Sequence, residues 1–168
     1  MTATDPKQPV DICFLLAPNG SSTAPNTDKE IRLIAFNIGG KDAEFVRISI
    51  TGDHKDGWLS ADVKVAAGKF AAIYPASFDT FAFSEFAKQL RVLHRTVSGS
   101  AEFTSLEGQL ELTLKCDALG HVTVDGTAMD VAGIGNRLMF KLEIDQTHLP
   151  GILKSLKSML KKHPVRKF

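Results

Sequence analysis

The sequence predicts an α+β fold in which antiparallel β-sheets pack against two amphipathic helices. Apolar and polar residues alternate in many short segments, which is the period of a half-buried strand. Two longer stretches repeat apolar residues every three to four positions, which is the period of a helix. The length of 168 residues, with 43% hydrophobic and 23% charged residues, is typical of one globular domain. We therefore expect a single domain over residues 1–168 with about nine strands.

Five predicted strands precede the first helix. A loop rich in proline, asparagine and serine, residues 18–30, separates the first two, which are short apolar runs. The third and fourth alternate clearly, and Pro75 is expected to end the fifth. The five segments are residues 12–16, 31–38, 46–50, 59–65 and 70–74.

The first helix is predicted over about residues 80–96. Asp79 or Thr80 can accept hydrogen bonds from the free N–H groups at its start. Its apolar face is formed by Phe83, Phe86, Ala87, Leu90 and Leu93.

A four-stranded antiparallel meander and a second helix follow. Turn residues between the segments are typical of hairpins. The helix is predicted over about residues 147–162, with Thr147 as its N-cap and Pro150 in its first turn, where a missing N–H breaks no helical hydrogen bond. The strand segments are residues 101–105, 110–116, 122–124 and 138–144.

The charge is divided unevenly along the chain. Twenty Lys and Arg oppose nineteen Asp and Glu, but six of the basic residues and none of the acidic ones follow Asp145. Residues 1–145 therefore have a net charge of −5, and the tail is basic. A helix C-terminus favours cations, although the tail could also contact a partner. The pI of 7.8 is below the value of about 9 typical of nucleic-acid-binding domains, so we expect no direct nucleic-acid binding.

The residues that could support catalysis or metal binding are scattered. Asp53, His54 and Asp56 share one turn, but a single mixed turn is more typical of a polar loop than of a metal site. No histidine pair has metal-binding spacing, and no nucleophile elbow is present. The glycines at 133–136 run into a strand and not into a helix, which is wrong for a dinucleotide loop. We predict no catalytic residue, no metal and no cofactor.

The cysteines and apolar runs indicate the compartment. Cys13 and Cys116 fall in strand segments and are expected to be buried, unpaired thiols. The longest apolar run, residues 13–17, is far short of the roughly 18 residues of a membrane helix, and the first ten residues do not resemble a signal peptide. We expect a cytoplasmic protein without membrane association, with residues 1–10 and 164–168 flexible.

Residues 57–164 resemble the WapI-family immunity proteins of bacterial polymorphic and contact-dependent toxin systems. The resemblance lies in an FxxFAxxL helix at 83–93, the meander at 101–126, the NRLMF segment at 136–140 and a DQTHLP entry to the last helix at 145–150. Asp145, Gln146 and Thr147 match the family motif. Their expected role is structural, because such side chains satisfy the backbone at a helix entry.

The resemblance implies a protein that binds and neutralises a cognate toxin domain, without catalysis, by steric occlusion. Many such toxins are nucleases with basic clefts, and an acidic surface on the partner would complement that charge. The sequence offers Asp53, Asp56 and Asp62 around the single tryptophan, Trp58, as candidate toxin-binding residues. The alternative is that Trp58 is a core residue, because tryptophan is a frequent core anchor.

Two other classes of function stay open. The first is a structural or self-associating β-rich module whose exposed strand edges support a homodimer. The second is a small-ligand binder or an enzyme with a site between sheet and helices.

Overall fold

The computed structural model describes residues 35–40, 44–54 and 56–165, which form two four-stranded antiparallel sheets, each followed by a helix. The first half contains β1 (Ala35–Gly39), β2 (Phe45–Asp53), β3 (Trp58–Ala67), β4 (Phe70–Asp79) and α1 (Thr80–Thr96). The second half contains β5 (Gly99–Thr104), β6 (Leu110–Cys116), β7 (His121–Met129), β8 (Arg137–Asp145) and α2 (Leu149–Lys162).

Within each sheet the strands lie in chain order, because every connection is a hairpin between neighbours. The helices cross between the halves: α1 packs against β5 and α2, and α2 packs against β1. The alternating apolar residues of both sheets turn inward and form one continuous core with the helices. Five aromatic rings at its centre join the first sheet, α1 and the second sheet, with centroid distances of 5.0 to 6.0 Å. These rings belong to Phe36, Phe78, Phe83, Phe86 and Phe103.

The α+β prediction is confirmed, but the strand count of nine is wrong for the part of the chain that is described, where eight strands form. The predicted strand at 12–16 lies outside the described residues. Pro75 does not end its strand, since β4 continues to Asp79. The reason is that β4 is an edge strand, which needs N–H donors only on the side that faces β3.

The first helix begins and ends as predicted. The Asp79 side chain accepts a hydrogen bond from Ala82 N at 2.8 Å and is the N-cap. The predicted N-cap of the second helix is wrong: a 3₁₀ turn, Gln146–His148, precedes α2, and Asp145 accepts from Thr147 N at 2.8 Å. Thr147 is the capped residue because the chain enters the helix through this tighter turn.

A buried glutamine links the two sheets. The Gln109 side chain accepts a hydrogen bond from Ser77 N at 3.2 Å and donates one to Pro75 O at 3.3 Å. Its backbone carbonyl accepts from the Tyr74 hydroxyl at 2.8 Å and from Met129 N at 2.9 Å. Burial raises the pKa of Tyr74, which stays a hydrogen-bond donor.

Cys116 is buried and free, and burial raises the pKa of its thiol. The predictions for Cys13, for residues 1–10 and for residues 166–168 lie outside the described residues. For the same reason the single-domain prediction stays a prediction. None of the described helices is long and apolar enough to cross a membrane.

Candidate partner-binding groove

A groove of about 690 Å³ lies where the first turns of α1 meet the β2–β3 turn, the end of β5 and the β5–β6 turn. This volume is within the range of about 300–1,000 Å³ that is typical of ligand clefts. We call it the α1 groove. Its lining includes Asp56, Trp58, Phe81, Glu102 and Leu106.

The β2–β3 turn forms one wall and is held by hydrogen bonds at both ends. Gly57 has φ of +91°, a conformation that glycine adopts without strain, and its carbonyl accepts from Thr80 N at 3.0 Å. The Asp56 side chain accepts from Trp58 N at 3.2 Å. This wall is therefore fixed to the start of α1, and Trp58 is half-buried at its edge.

The first turns of α1 form the second wall. Asp79 caps the helix and lines the groove, and Phe81 follows it. Phe83 on the same helix is fully buried, whereas Phe81 is 60% exposed because it lies on the opposite side of the helix axis. Glu85, one turn later, forms an ion pair with Lys88 at 2.5 Å.

The third wall consists of the end of β5 and the turn after it. Buried Ser105 fixes this turn, since its hydroxyl accepts from Leu110 N at 3.0 Å and its N–H donates to Leu110 O. Leu106 at the tip is 74% exposed. Glu102 on β5 points to the exposed side of its sheet.

The α1 groove is acidic. Four carboxylates line it, and no lysine, arginine or histidine is among its described lining residues. Lys88 is the cation paired with one of these carboxylates, and two others accept backbone hydrogen bonds. The Glu102 carboxylate has no hydrogen-bond or ion-pair partner within the described parts of the chain. The four are Asp56, Asp79, Glu85 and Glu102.

The structure separates the four predicted toxin-binding residues. Asp56 and Trp58 both line the α1 groove. Asp62 lies on the outer face of β3, roughly 13 Å along the strand from Trp58 at about 3.3 Å per residue. Asp53 turns inward: a β-bulge between Ile50 and Gly52 shifts the register and places Asp53 opposite Leu59.

Asp53 therefore lies against the end of α2. Its carboxylate is 2.6 Å from Nδ1 of His163, which ends the helix and is only 8% exposed. This contact joins the first sheet to the last helix.

The DQT motif is in contact with the β6–β7 turn. Asp145 accepts hydrogen bonds from the backbone N–H and the hydroxyl of Thr147, and these bonds lower the pKa of the carboxyl. Gln146 N donates to Gly120 O at 2.9 Å, and its side chain fills the space that a Cβ at Gly120 would need. These contacts are those expected of a structural helix entry, and none of the three residues lines the α1 groove.

Several groove residues were missed from the sequence. Phe81 and Leu106 were assigned no role, and neither were Glu85 and Glu102. One signal was available for Phe81, because it falls outside the apolar stripe of its helix. The side chains of the groove come from three separate turns, and alternation within a strand does not reveal which turns meet.

The α1 groove offers carboxylates, hydroxyls and apolar surface. His54 lies outside it, with Nε2 at 2.7 Å from the Ser60 hydroxyl. Over residues 35–40, 44–54 and 56–165, no three His, Cys, Asp or Glu side chains are grouped to hold a metal ion. The combination of carboxylates and apolar side chains in the α1 groove is suited to binding a partner with cations and apolar groups.

Comparison with known proteins gives one family match. The model of the "Immunity protein WapI-like family" matches residues 37–164, which is most of the chain. No curated protein matches the sequence significantly. Among solved structures, one described as crystal structures of Trypanosoma bruciei MRP1/MRP2 is similar, with 14% sequence identity and a TM-score of 0.46. The match covers 77% of this chain and 85% of that one.

Proposed function

The chain belongs to the WapI-like family of immunity proteins, and on that premise we propose that it binds a cognate toxin domain and blocks it sterically, without catalysis. Membership of the family supports a toxin-neutralising role in general. The finer proposal is that the α1 groove is the surface that contacts the toxin, with Trp58 and Asp56 among the contact residues. We also propose that the protein acts in the cytoplasm, on a toxin domain that reaches that compartment.

The observation that supports this assignment is the combination of concave shape, exposed apolar side chains and four carboxylates in one place. Phe81 and Leu106 are mostly exposed although they are large and apolar, and they flank the half-buried Trp58. Aromatic side chains surrounded by a polar rim are typical of the residues that dominate binding energy at protein interfaces.

The geometry of the groove favours steric occlusion of a partner over catalysis. A toxin surface that inserts into the groove would lose access to its own substrate, and the acidic rim would speed association with a basic surface. A nuclease toxin, whose cleft must attract phosphates, would have such a surface. The toxin domain is therefore proposed to be basic where it meets the groove.

The test is co-expression with the toxin domain encoded beside this chain. Toxicity that is relieved by the chain, together with a complex that co-purifies, would support the proposal. A variant with Leu106→Ser and Glu102→Lys should bind at least about tenfold more weakly. The control is Leu119→Ser with Glu143→Lys, which changes an equally exposed leucine and glutamate away from the groove. Toxicity without rescue or binding would reject the proposal for that pair.

The molar ratio at which the chain protects its partner distinguishes occlusion from catalysis. If the chain only occludes its partner, protection of the purified toxin domain should rise with the molar ratio and saturate at equimolar protein. The toxin should regain full activity once the complex is dissociated. Full protection by a small fraction of an equivalent, or a chemically altered toxin, would contradict a role without catalysis.

A further inference from the structure

The charge of the α1 groove restricts what it can bind. Four carboxylates within one concave surface repel phosphates and other anions, and this repulsion is strongest where the walls exclude water. Lys88 offsets one of the four charges. A ligand that brings cations is therefore favoured, and nucleic acid is disfavoured.

The apolar part of the groove excludes a simple cation as its ligand. Phe81 is 60% exposed, Leu106 is 74% exposed and Val165 is 38% exposed, and all three line the same groove as Trp58. A metal ion would leave this surface in water, and the methylene groups of a polyamine would cover only part of it. Only a ligand with its own apolar side chains gains the roughly 25 cal/mol per Å² that burial provides.

The two requirements are met in one place by a peptide segment. A Lys or Arg side chain has an apolar stem with a charged end, so it can cover Leu106 or Val165 while its charge reaches Glu102. Its cation can also lie over the faces of Trp58 or Phe81. A neighbouring leucine or phenylalanine would occupy the space between the rings.

Because this inference rests on the proposed function, it concerns the same toxin partner. We propose that the α1 groove binds a protruding segment of the toxin domain in which Lys or Arg residues flank an apolar side chain. The segment inserts between the start of α1 and the β5–β6 turn, with its cations on Glu85 and Glu102 and its apolar side chain against Phe81.

Trp58 makes this proposal testable without the toxin. It is the only tryptophan in 168 residues, so the intrinsic fluorescence of the chain reports on the groove. The probes are three capped pentapeptides, KLRLK, KSRSK and ELELE. We expect KLRLK to shift the Trp58 emission saturably, with an affinity that falls as salt is added because exposed charges are screened.

Matched variants locate the binding. Glu102→Gln and Leu106→Ser should each weaken KLRLK by about threefold, the size expected for one exposed charge or one apolar contact at a rim. Glu143→Gln and Leu119→Ser, which change exposed residues on the outer face of β8 and in the β6–β7 turn, should leave the affinity unchanged.

Four results would overturn the proposal. They are no response to KLRLK, an equal response to ELELE, an equal response to KSRSK, and equal affinity in the groove and control variants. A chain truncated after Val165 tests whether the groove is occupied by this chain's own C-terminal residues and not by the toxin segment. If its affinity rises tenfold, the occupant of the groove is Arg166 and Lys167 of this chain.

The inference and the proposed function can fail separately. If the chain rescues growth but Leu106→Ser with Glu102→Lys rescues equally well, the groove is not the contact surface and the immunity function stands. If KLRLK binds as expected but no rescue is seen, the chemistry of the groove stands and the proposed immunity function is rejected for that toxin.

Discussion

At the scale of single residues, one inserted position decides the role of an acidic side chain. Without the bulge near Thr51, strict alternation would place Asp53 on the outer face of its sheet. With it, Asp53 accepts a hydrogen bond from the nearly buried His163. The sequence predicted Asp53 as a toxin-binding residue. That assignment stays a prediction, and from its contact with α2 we infer a further role in stability.

We expect Asp53→Ala to lower the free energy of unfolding by about 1 kcal/mol, because His163 would lose its partner. The value lies below the roughly 1.5–3 kcal/mol typical of hydrogen bonds to charged groups, since the carboxylate is partly exposed. Urea unfolding measures it. Asp62→Ala is the control, because this exposed side chain has no hydrogen bond among the described residues. Equal stability of the two variants would show that the contact with His163 contributes nothing.

Gly126 on β7 is required by the aromatic ring beside it. A Cβ at this position would lie 2.1 Å from the ring of Phe140 on β8, so the ring would have to leave its place against the core. We expect Gly126→Ala to destabilise the protein by about 1–3 kcal/mol. Gly151→Ala in α2 is the control, because nothing lies within 4 Å of its Cβ and alanine is the better helix former.

A double-mutant cycle identifies the cause of the Gly126 effect. If the clash with the ring is responsible, Gly126→Ala should cost less when Phe140 is already leucine. The two substitutions would then be non-additive in thermal unfolding. If the two effects are strictly additive, the loss of stability caused by Gly126→Ala arises in the backbone of β7 and not from the Phe140 ring.

At the scale of elements, the outer edge of β4 is closed by a side chain. The Gln109 amide pairs with Ser77 N and Pro75 O, which are groups that a neighbouring strand would otherwise use. Pro75 itself provides no donor on this edge. A side chain from the second sheet thus ends the hydrogen-bonding of the first.

We expect Gln109→Leu to destabilise the protein by about 1–3 kcal/mol, because the buried amide would lose two part-buried hydrogen bonds, with Ser77 N and Pro75 O. Gln89→Leu is the matched control: its side chain accepts one hydrogen bond, from Glu102 N, at an exposed position. Chemical denaturation of both variants gives the comparison. An equal loss would mean that burial of the amide is unimportant.

We expect carboxyls in two turns to make the stability of the fold depend on pH in the acid range. Hydrogen bonds from Asn136 lower the pKa of Asp130, and hydrogen bonds from Thr147 lower the pKa of Asp145. A carboxyl whose pKa is lower in the folded chain adds stability above its unfolded pKa and loses it as the pH falls through its folded pKa. The melting temperature should therefore fall below about pH 4. Asp130→Asn should reduce this fall, and an unchanged acid response would reject the assignment.

At the scale of the whole molecule, the sequence predicts the sheets and helices but does not show which turns meet to form the α1 groove. Alternation identified the inward residues of six strands and the period of 3.6 identified both helices, because burial of one face imposes these periods directly. The α1 groove could not be located in the same way. Trp58, Phe81 and Leu106 lie on three separate elements, and their proximity depends on how α1 crosses between the two halves. The acidic residues around Trp58 in the sequence indicated only the wall that the β2–β3 turn forms.

The edges of the two sheets determine how the molecule associates. The edge strands are β1, β4, β5 and β8; α2 packs against β1, α1 packs against β5, and Gln109 covers part of β4. The outer positions of β8 include Arg137, Lys141 and Glu143, which disfavour pairing with another strand. We therefore expect the chain to be a monomer of 18.2 kDa in the absence of a partner. Light scattering over a wide concentration range measures this mass. A concentration-dependent dimer would favour the self-associating module, and Lys141→Val, which removes one of the edge charges, should then strengthen it.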